Sequence, residues 1–182
     1  MKKINLAVVG LVTLGTVAFS PSVNAAENQA GETTSTVEVK PGTLTIKEFP
    51  ESIAFESQTI TGKDMTAKES KESSISIEDL RGSSSKGWSL NASLKGEENF
   101  KGMALTLAPE ITANGEVAAS TEQTLNSKGQ PIVTVADRDI TKTDFDTSMK
   151  LHAKLDIPAK QLANSYSTTI VWNLTEGPGT AE

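Results

Sequence analysis

Cysteine is absent from the sequence, histidine and tyrosine occur once each, and tryptophan only twice. Without cysteine there is no disulfide framework and no thiol chemistry. The one histidine, His152, falls between Lys150 and Lys154 on the polar side of an alternating stretch, the setting of a surface residue rather than a catalytic base. No Gly-x-Ser-x-Gly elbow, His-Glu-x-x-His helix or phosphate-cradling glycine loop occurs. Positive charge is also in deficit, with 17 Lys and Arg against 23 Asp and Glu. That balance, with no basic patch, argues against nucleic acid and anionic lipid as partners. These absences point to a protein that is not an enzyme and has no catalytic residues, no cofactor and no dedicated metal site.

Long hydrophobic runs are scarce too. The one that occurs, residues 4–19, follows Lys2 and Lys3 and precedes Val23-Asn24-Ala25, with small residues where signal peptidase reads. At 16 residues it is shorter than the roughly 18 needed to span a membrane as a helix. Residues 1–25 are therefore expected to be a cleaved secretory signal, with no membrane span left afterwards. No second apolar segment lies near the C-terminus, and no Leu-Pro-x-Thr-Gly sorting signal is present. Retention at a cell surface is expected to be non-covalent. Removing 25 of 182 residues leaves 157, the length of one domain. Its 15 basic and 23 acidic side chains give a net charge of −8. A chain of that length buries about 70% of its unfolded surface and needs no covalent staple.

What is present is short alternation. Residues 26–35 are polar, with nothing apolar larger than alanine, and are expected to form a flexible leader. The domain is expected over 36–178, with a tail at 179–182. Thr36-Val37-Glu38-Val39 and Thr43-Leu44-Thr45-Ile46 flank the turn pair Pro41-Gly42, and Ser74-Ile75-Ser76-Ile77 alternates again. Trp88, Leu90, Ala92 and Leu94 share one face of a strand whose other face carries Ser89, Asn91 and Ser93. Met103, Leu105 and Leu107 repeat the pattern, as do Met149, Leu151, Ala153 and Leu155. The last strand runs from Tyr166 through Ile170 and Trp172 to Leu174. Residues 64–73 and 159–165 have helical composition without an apolar stripe and are expected to be loops or single turns. Many short strands between turns predict an all-β fold, an antiparallel β-sandwich or barrel-like domain with little helix.

Acidic pairs occur at Glu78-Asp79, Asp137-x-Asp139 and Asp144-x-Asp146. Glycoside hydrolysis needs two carboxylates set across a cleft, which spacing along a chain does not supply. Residues 137–146 offer clustered oxygens to calcium but lack the ordered EF-hand spacing, so an acidic turn-rich loop is the expectation. The sequons Asn91-Ala92-Ser93 and Asn173-Leu174-Thr175 lie inside expected strands and are set aside.

The two tryptophans sit in one tripeptide frame, Trp88-Ser89-Leu90 and Trp172-Asn173-Leu174. A Trp and a Leu two apart on one face ordinarily belong to a core. An outward aromatic platform is the alternative. Around them, residues 50–62 read PESIAFESQTITG, 79–90 read DLRGSSSKGWSL and 166–178 read YSTTIVWNLTEGP. In this order, behind a signal peptide, they resemble the WxL-domain surface proteins of low-GC Gram-positive bacteria. In those a first W-x-L follows a D-x-R-G loop and a second lies in Y-x-x-x-(L/I)-x-W-x-L-T-(D/E)-x-P. Asp79, Arg81, Gly82 and Gly87 match around the first motif; Tyr166, Ile170, Trp172, Leu174, Thr175, Glu176 and Pro178 match around the second. Ile170-Val171 stands where Leu-Thr is usual and Gly177 where Ala is frequent, both in keeping with the pattern. The resemblance implies a non-catalytic, secreted protein at the cell surface, attached non-covalently to the wall with peptidoglycan as ligand. It further implies neighbouring surface proteins and host matrix proteins as partners, and gives the binding role to Trp88, Leu90, Trp172 and Leu174.

Overall fold

The computed structural model describes residues 32–113, 118–136 and 145–177. The expected signal peptide, most of the leader, positions 137–144 of the acidic loop and the C-terminal tail lie outside the described residues. Residues 32–38 close an N-terminal unit that ends at Glu38; they are exposed and without regular structure. Every strand below belongs to the second unit, Val39–Glu182. The expected strand at residues 36–39 is therefore not formed. Its alternation is real, but no neighbouring edge among the described residues pairs its backbone, and an unpaired strand has no stability of its own.

In chain order the strands are β1 (Leu44–Glu48), β2 (Met65–Lys68), β3 (Ser73–Asp79), β4 (Gly87–Lys95) and β5 (Ala104–Ala113). They continue with β6 (Ala118–Ser120), β7 (Gln123–Thr124), β8 (Gln130–Ala136), β9 (Asp146–Ile157) and β10 (Thr169–Glu176). Single 3-10 turns occur at Gly82–Ser84 and Glu97–Phe100. Two sheets result, every pairing antiparallel. One runs β1-β3-β9-β5-β7, with β2 also on β9; the other runs β10-β4-β8-β6. This is the expected all-β sandwich.

Period-two patterning fills the space between the sheets. Ile75, Ile77, Leu105, Leu107, Met149 and Leu151 come from one sheet, and Trp88, Leu90, Ala92, Val133 and Val135 from the other, all in a single buried cluster. The opposite face of β9 carries charge, where Lys150 meets Glu72 and His152 Nε2 lies 2.9 Å from Glu110 Oε2. Three register shifts adjust the pattern. On β8 one residue is inserted between the partners of Leu90 and Asn91, which lets both Ile132 and Val133 face inward. On β1 the shift falls at Lys47, which is 3.2 Å from both Glu78 and Asp146; β5 shifts between Ile111 and Ala113.

The region 64–73 departs from expectation, since Met65–Lys68 forms β2 rather than a loop. Its composition favours helix, but pairing with Lys154 to Ile157 at the end of β9, and burial of Ala67, override that weak local preference.

Candidate functional site

The two tryptophan motifs are hydrogen-bonded neighbours. β10 pairs with β4 in unbroken register, with Trp172 opposite Ala92, Leu174 opposite Leu90, and Glu176 opposite Trp88. The four residues share the inward face yet differ in depth. Trp88 is 2% exposed and Leu90 is wholly buried, because β4 lies between β10 and β8. Trp172 and Leu174 are half-buried, because β10 is the outermost strand of its sheet. An aromatic platform on the outer face is thus not what the strands form.

The outer face of this pair is polar and internally bonded. Asn91 Nδ2 donates to Thr175 Oγ1 at 3.3 Å, and the Thr175 hydroxyl donates to the Ser89 carbonyl at 3.3 Å. Ser89 is wholly buried rather than solvated, and its hydroxyl has no partner among the described residues.

The loop before β4 is fixed by a buried ion pair. Arg81 donates from Nε to Asp79 Oδ1 at 2.8 Å and from Nη2 to Oδ2 at 2.9 Å, a two-pronged contact that suits a planar guanidinium. Ser85 Oγ donates to Asp79 Oδ2 at 2.9 Å. Arg81 also donates to the Gly87 carbonyl at 3.0 Å and lies 3.2 Å from Glu176. The Gly87 carbonyl accepts a second bond, from the Gly177 amide at 3.0 Å. Gly82 and Gly87 hold φ of 57° and 80°, conformations that a side chain disfavours. Burial alone would push the Asp79 carboxyl up; the Arg81 guanidinium and the Ser85 hydroxyl outweigh it and hold the group below the ordinary carboxylate value. The Arg81 guanidinium is pushed up in turn, chiefly by its bond to Asp79. The motif residues Asp79, Arg81, Gly87 and Glu176 form one clamp that ties the first motif's loop to the end of the second motif's strand.

Beside Trp172 lies a slit of about 660 Å³ lined by both sheets. Its deep residues are Phe100, Met103, Leu105 and Leu155, all buried. One wall is residues 164–170 with Trp172, the other residues 50–57. The second wall is anchored to β2: Glu56 N–H donates to the Lys68 carbonyl at 3.0 Å, and Ser70 N–H to that of Ala54 at 2.8 Å. Thr168 Oγ1 bonds the Lys95 carbonyl at 3.1 Å and the Tyr166 hydroxyl that of Leu162 at 2.7 Å, fixing the first. Two of the three signature segments thus contribute lining to this slit. The resemblance names Trp172 as a binding residue but not Ile53, Phe55 or Phe100, whose short apolar stretches have no period to read. Tyr166 lies before β10 rather than within it.

Among the described residues no group of three or more His, Cys, Asp or Glu is arranged to hold a metal. No helix there is long and apolar enough to cross a membrane. Of the acidic pairs, Glu78 is engaged by Lys47 and Asp79 by Arg81. Most of the calcium candidate at 137–146 lies outside the described residues.

Comparison with curated proteins returns no match. Comparison with family models returns one described as WxL domain, surface cell wall-binding, matched by residues 19–178. That span takes in all three signature segments, the clamp and the slit, and the chain belongs to the WxL family of surface, cell wall-binding domains.

Proposed function

We propose that this chain is a secreted, non-catalytic protein held non-covalently on peptidoglycan by its WxL domain. The family match over residues 19–178 carries the reading. The four motif residues have different parts in it. Trp88 and Leu90 act from the core by fixing β4, and Trp172 and Leu174 act at the half-buried margin by setting the position of β10 on it. Co-sedimentation with protein-stripped sacculi tests the proposal. The native chain is expected to pellet with them, and a folded Trp172→Ala variant to be retained several-fold less. A native chain that stays in the supernatant would overturn it.

A second reading, membership of a surface complex with neighbouring surface or host matrix proteins, is favoured by one observation: β10 leaves one long side unpaired among the described residues.

A further inference from the structure

Among the described residues the two sheets end on four strands, β1, β7, β6 and β10, and all but β10 are blunted. β1 has five residues, carries Lys47 and Glu48 and is broken by a register shift. β6 has three residues and β7 two. Charge, bulges and shortness are the devices by which natural sheets prevent a further strand from adding. β10 is neither short nor bulged, and its one charge is its last residue. Its eight residues pair with β4 without a shift, and they read Thr-Ile-Val-Trp-Asn-Leu-Thr, rich in strand formers, before the first charge at Glu176.

Its hydrogen-bonding phase is known. The Gly177 N–H donates to the Gly87 carbonyl, and the Leu94 N–H points away from β10, to the Asn126 carbonyl. Antiparallel alternation from these two anchors turns the backbone groups of Val171 and Asn173 towards β4. Those of Ile170, Trp172 and Leu174 turn to the open edge. The same three residues send their side chains inward, two of them into the slit lining. The open backbone and the apolar slit thus adjoin along one strand.

The charge of the slit selects what could fill it. Its charged lining residues are Glu51 and Glu56, with no Lys or Arg. A second copy would bring the same glutamates and its own net negative charge. The chain's own leading segment, residues 26–39, carries Glu27, Glu32 and Glu38 and no Lys or Arg. A polyanionic wall polymer is repelled as well.

We infer that β10 and the slit beside it are a docking site for an extended segment of a partner protein, added as a strand on the open edge, with apolar side chains at alternate positions and Lys or Arg flanking them. The inference deepens the reading of the chain as a member of a surface complex. Attachment to peptidoglycan stands or falls separately, on protein-stripped sacculi. Strand addition draws affinity from main-chain bonds and specificity from alternate side-chain pockets, and the site supplies both.

A synthetic peptide tests it, with valine at every second position and two lysines at each end, about nine residues long to span β10 at roughly 3.3 Å per residue. Added to the mature chain, it is expected to slow amide exchange at Ile170, Trp172 and Leu174 by about tenfold or more, leaving Val171 and Asn173 unchanged. Glu51→Lys with Glu56→Lys, both exposed positions, should weaken binding by about tenfold with the melting temperature unchanged. The same peptide flanked by glutamate, or methylated on alternate backbone nitrogens, should not bind.

Four results would each overturn the inference. One is exchange unchanged at the three amides, and another is equal binding of the glutamate-flanked peptide. A dimer whose β10 amides are already protected would assign the edge to a second copy or to residues 26–39. Displacement of the chain from protein-stripped sacculi by the peptide would assign the slit to the wall itself.

Discussion

Trp88 and Trp172 share a tripeptide frame, and their surroundings differ because a central strand is covered on two edges and an outer strand on one. Truncating the first opens a cavity in the buried cluster, so Trp88→Ala is expected to cost about 3–5 kcal/mol. Trp172 is half-buried and the slit beside it is already open, so Trp172→Ala should cost only about 1–2 kcal/mol. Urea unfolding of the two variants measures the difference; equal losses would show that the rings are equally engaged. Fluorescence gives an independent reading. With Trp172→Phe, the remaining emission should be blue-shifted and shielded from acrylamide. The question left open by spacing, core or surface, resolves into one ring of each depth on the same inward face. Spacing fixes the face of a strand; only its place in the sheet fixes depth, and that is set by partners far along the chain.

The clamp belongs to the scale of elements, since it joins the β3–β4 loop, the first residue of β4 and the end of β10. Its two carboxylates are not equivalent. The Asp79 side chain is 10% exposed and that of Glu176 is 74% exposed. Arg81→Ala strands the Asp79 carboxylate in a buried position and is expected to destabilise the domain by about 3 kcal/mol. Glu176→Gln removes a solvent-screened contact and should cost less than about 1 kcal/mol. Chemical denaturation of the two variants checks the order, and a larger loss from Glu176→Gln would contradict the clamp as described. Elements differ in how legible they were. β4 and β9 alternate strictly and are legible from period alone. β8 escaped because its inserted residue turns Ile132 and Val133 inward together, which breaks the alternation. β2 escaped because its residues favour helix and only β9 makes them a strand. Asp79 and Arg81 could be named from the D-x-R-G pattern, but their union with Glu176 depends on β10 returning to pair with β4.

For the whole molecule, the charged groups set a window of pH. Burial pushes the Asp79 carboxyl up, but Arg81 and Ser85 together bring it below the ordinary carboxylate value. A group whose folded value lies below its unfolded one favours the folded state wherever it is ionised, and that contribution fades as pH falls through the folded value. Lys47 behaves oppositely: its bonds to Glu78 and Asp146 raise it, so its contribution is present at neutral pH and lost only in strong alkali. Lys47 is exposed and screened by solvent, whereas Asp79 is buried, so the acid limb is the one that should be measurable. The melting temperature is therefore expected to hold level from neutral pH down to about pH 5 and to fall below about pH 4, the ordinary range of carboxylate titration. Asp79→Asn, less stable at neutral pH, should fall more shallowly in acid, because the buried depressed carboxylate is gone and the others, Glu72 and Asp156, are exposed and screened. If the variant and the native chain lose stability in parallel between neutral pH and about pH 3, the acid sensitivity lies with other carboxylates, and the clamp is not what holds the two motif strands together.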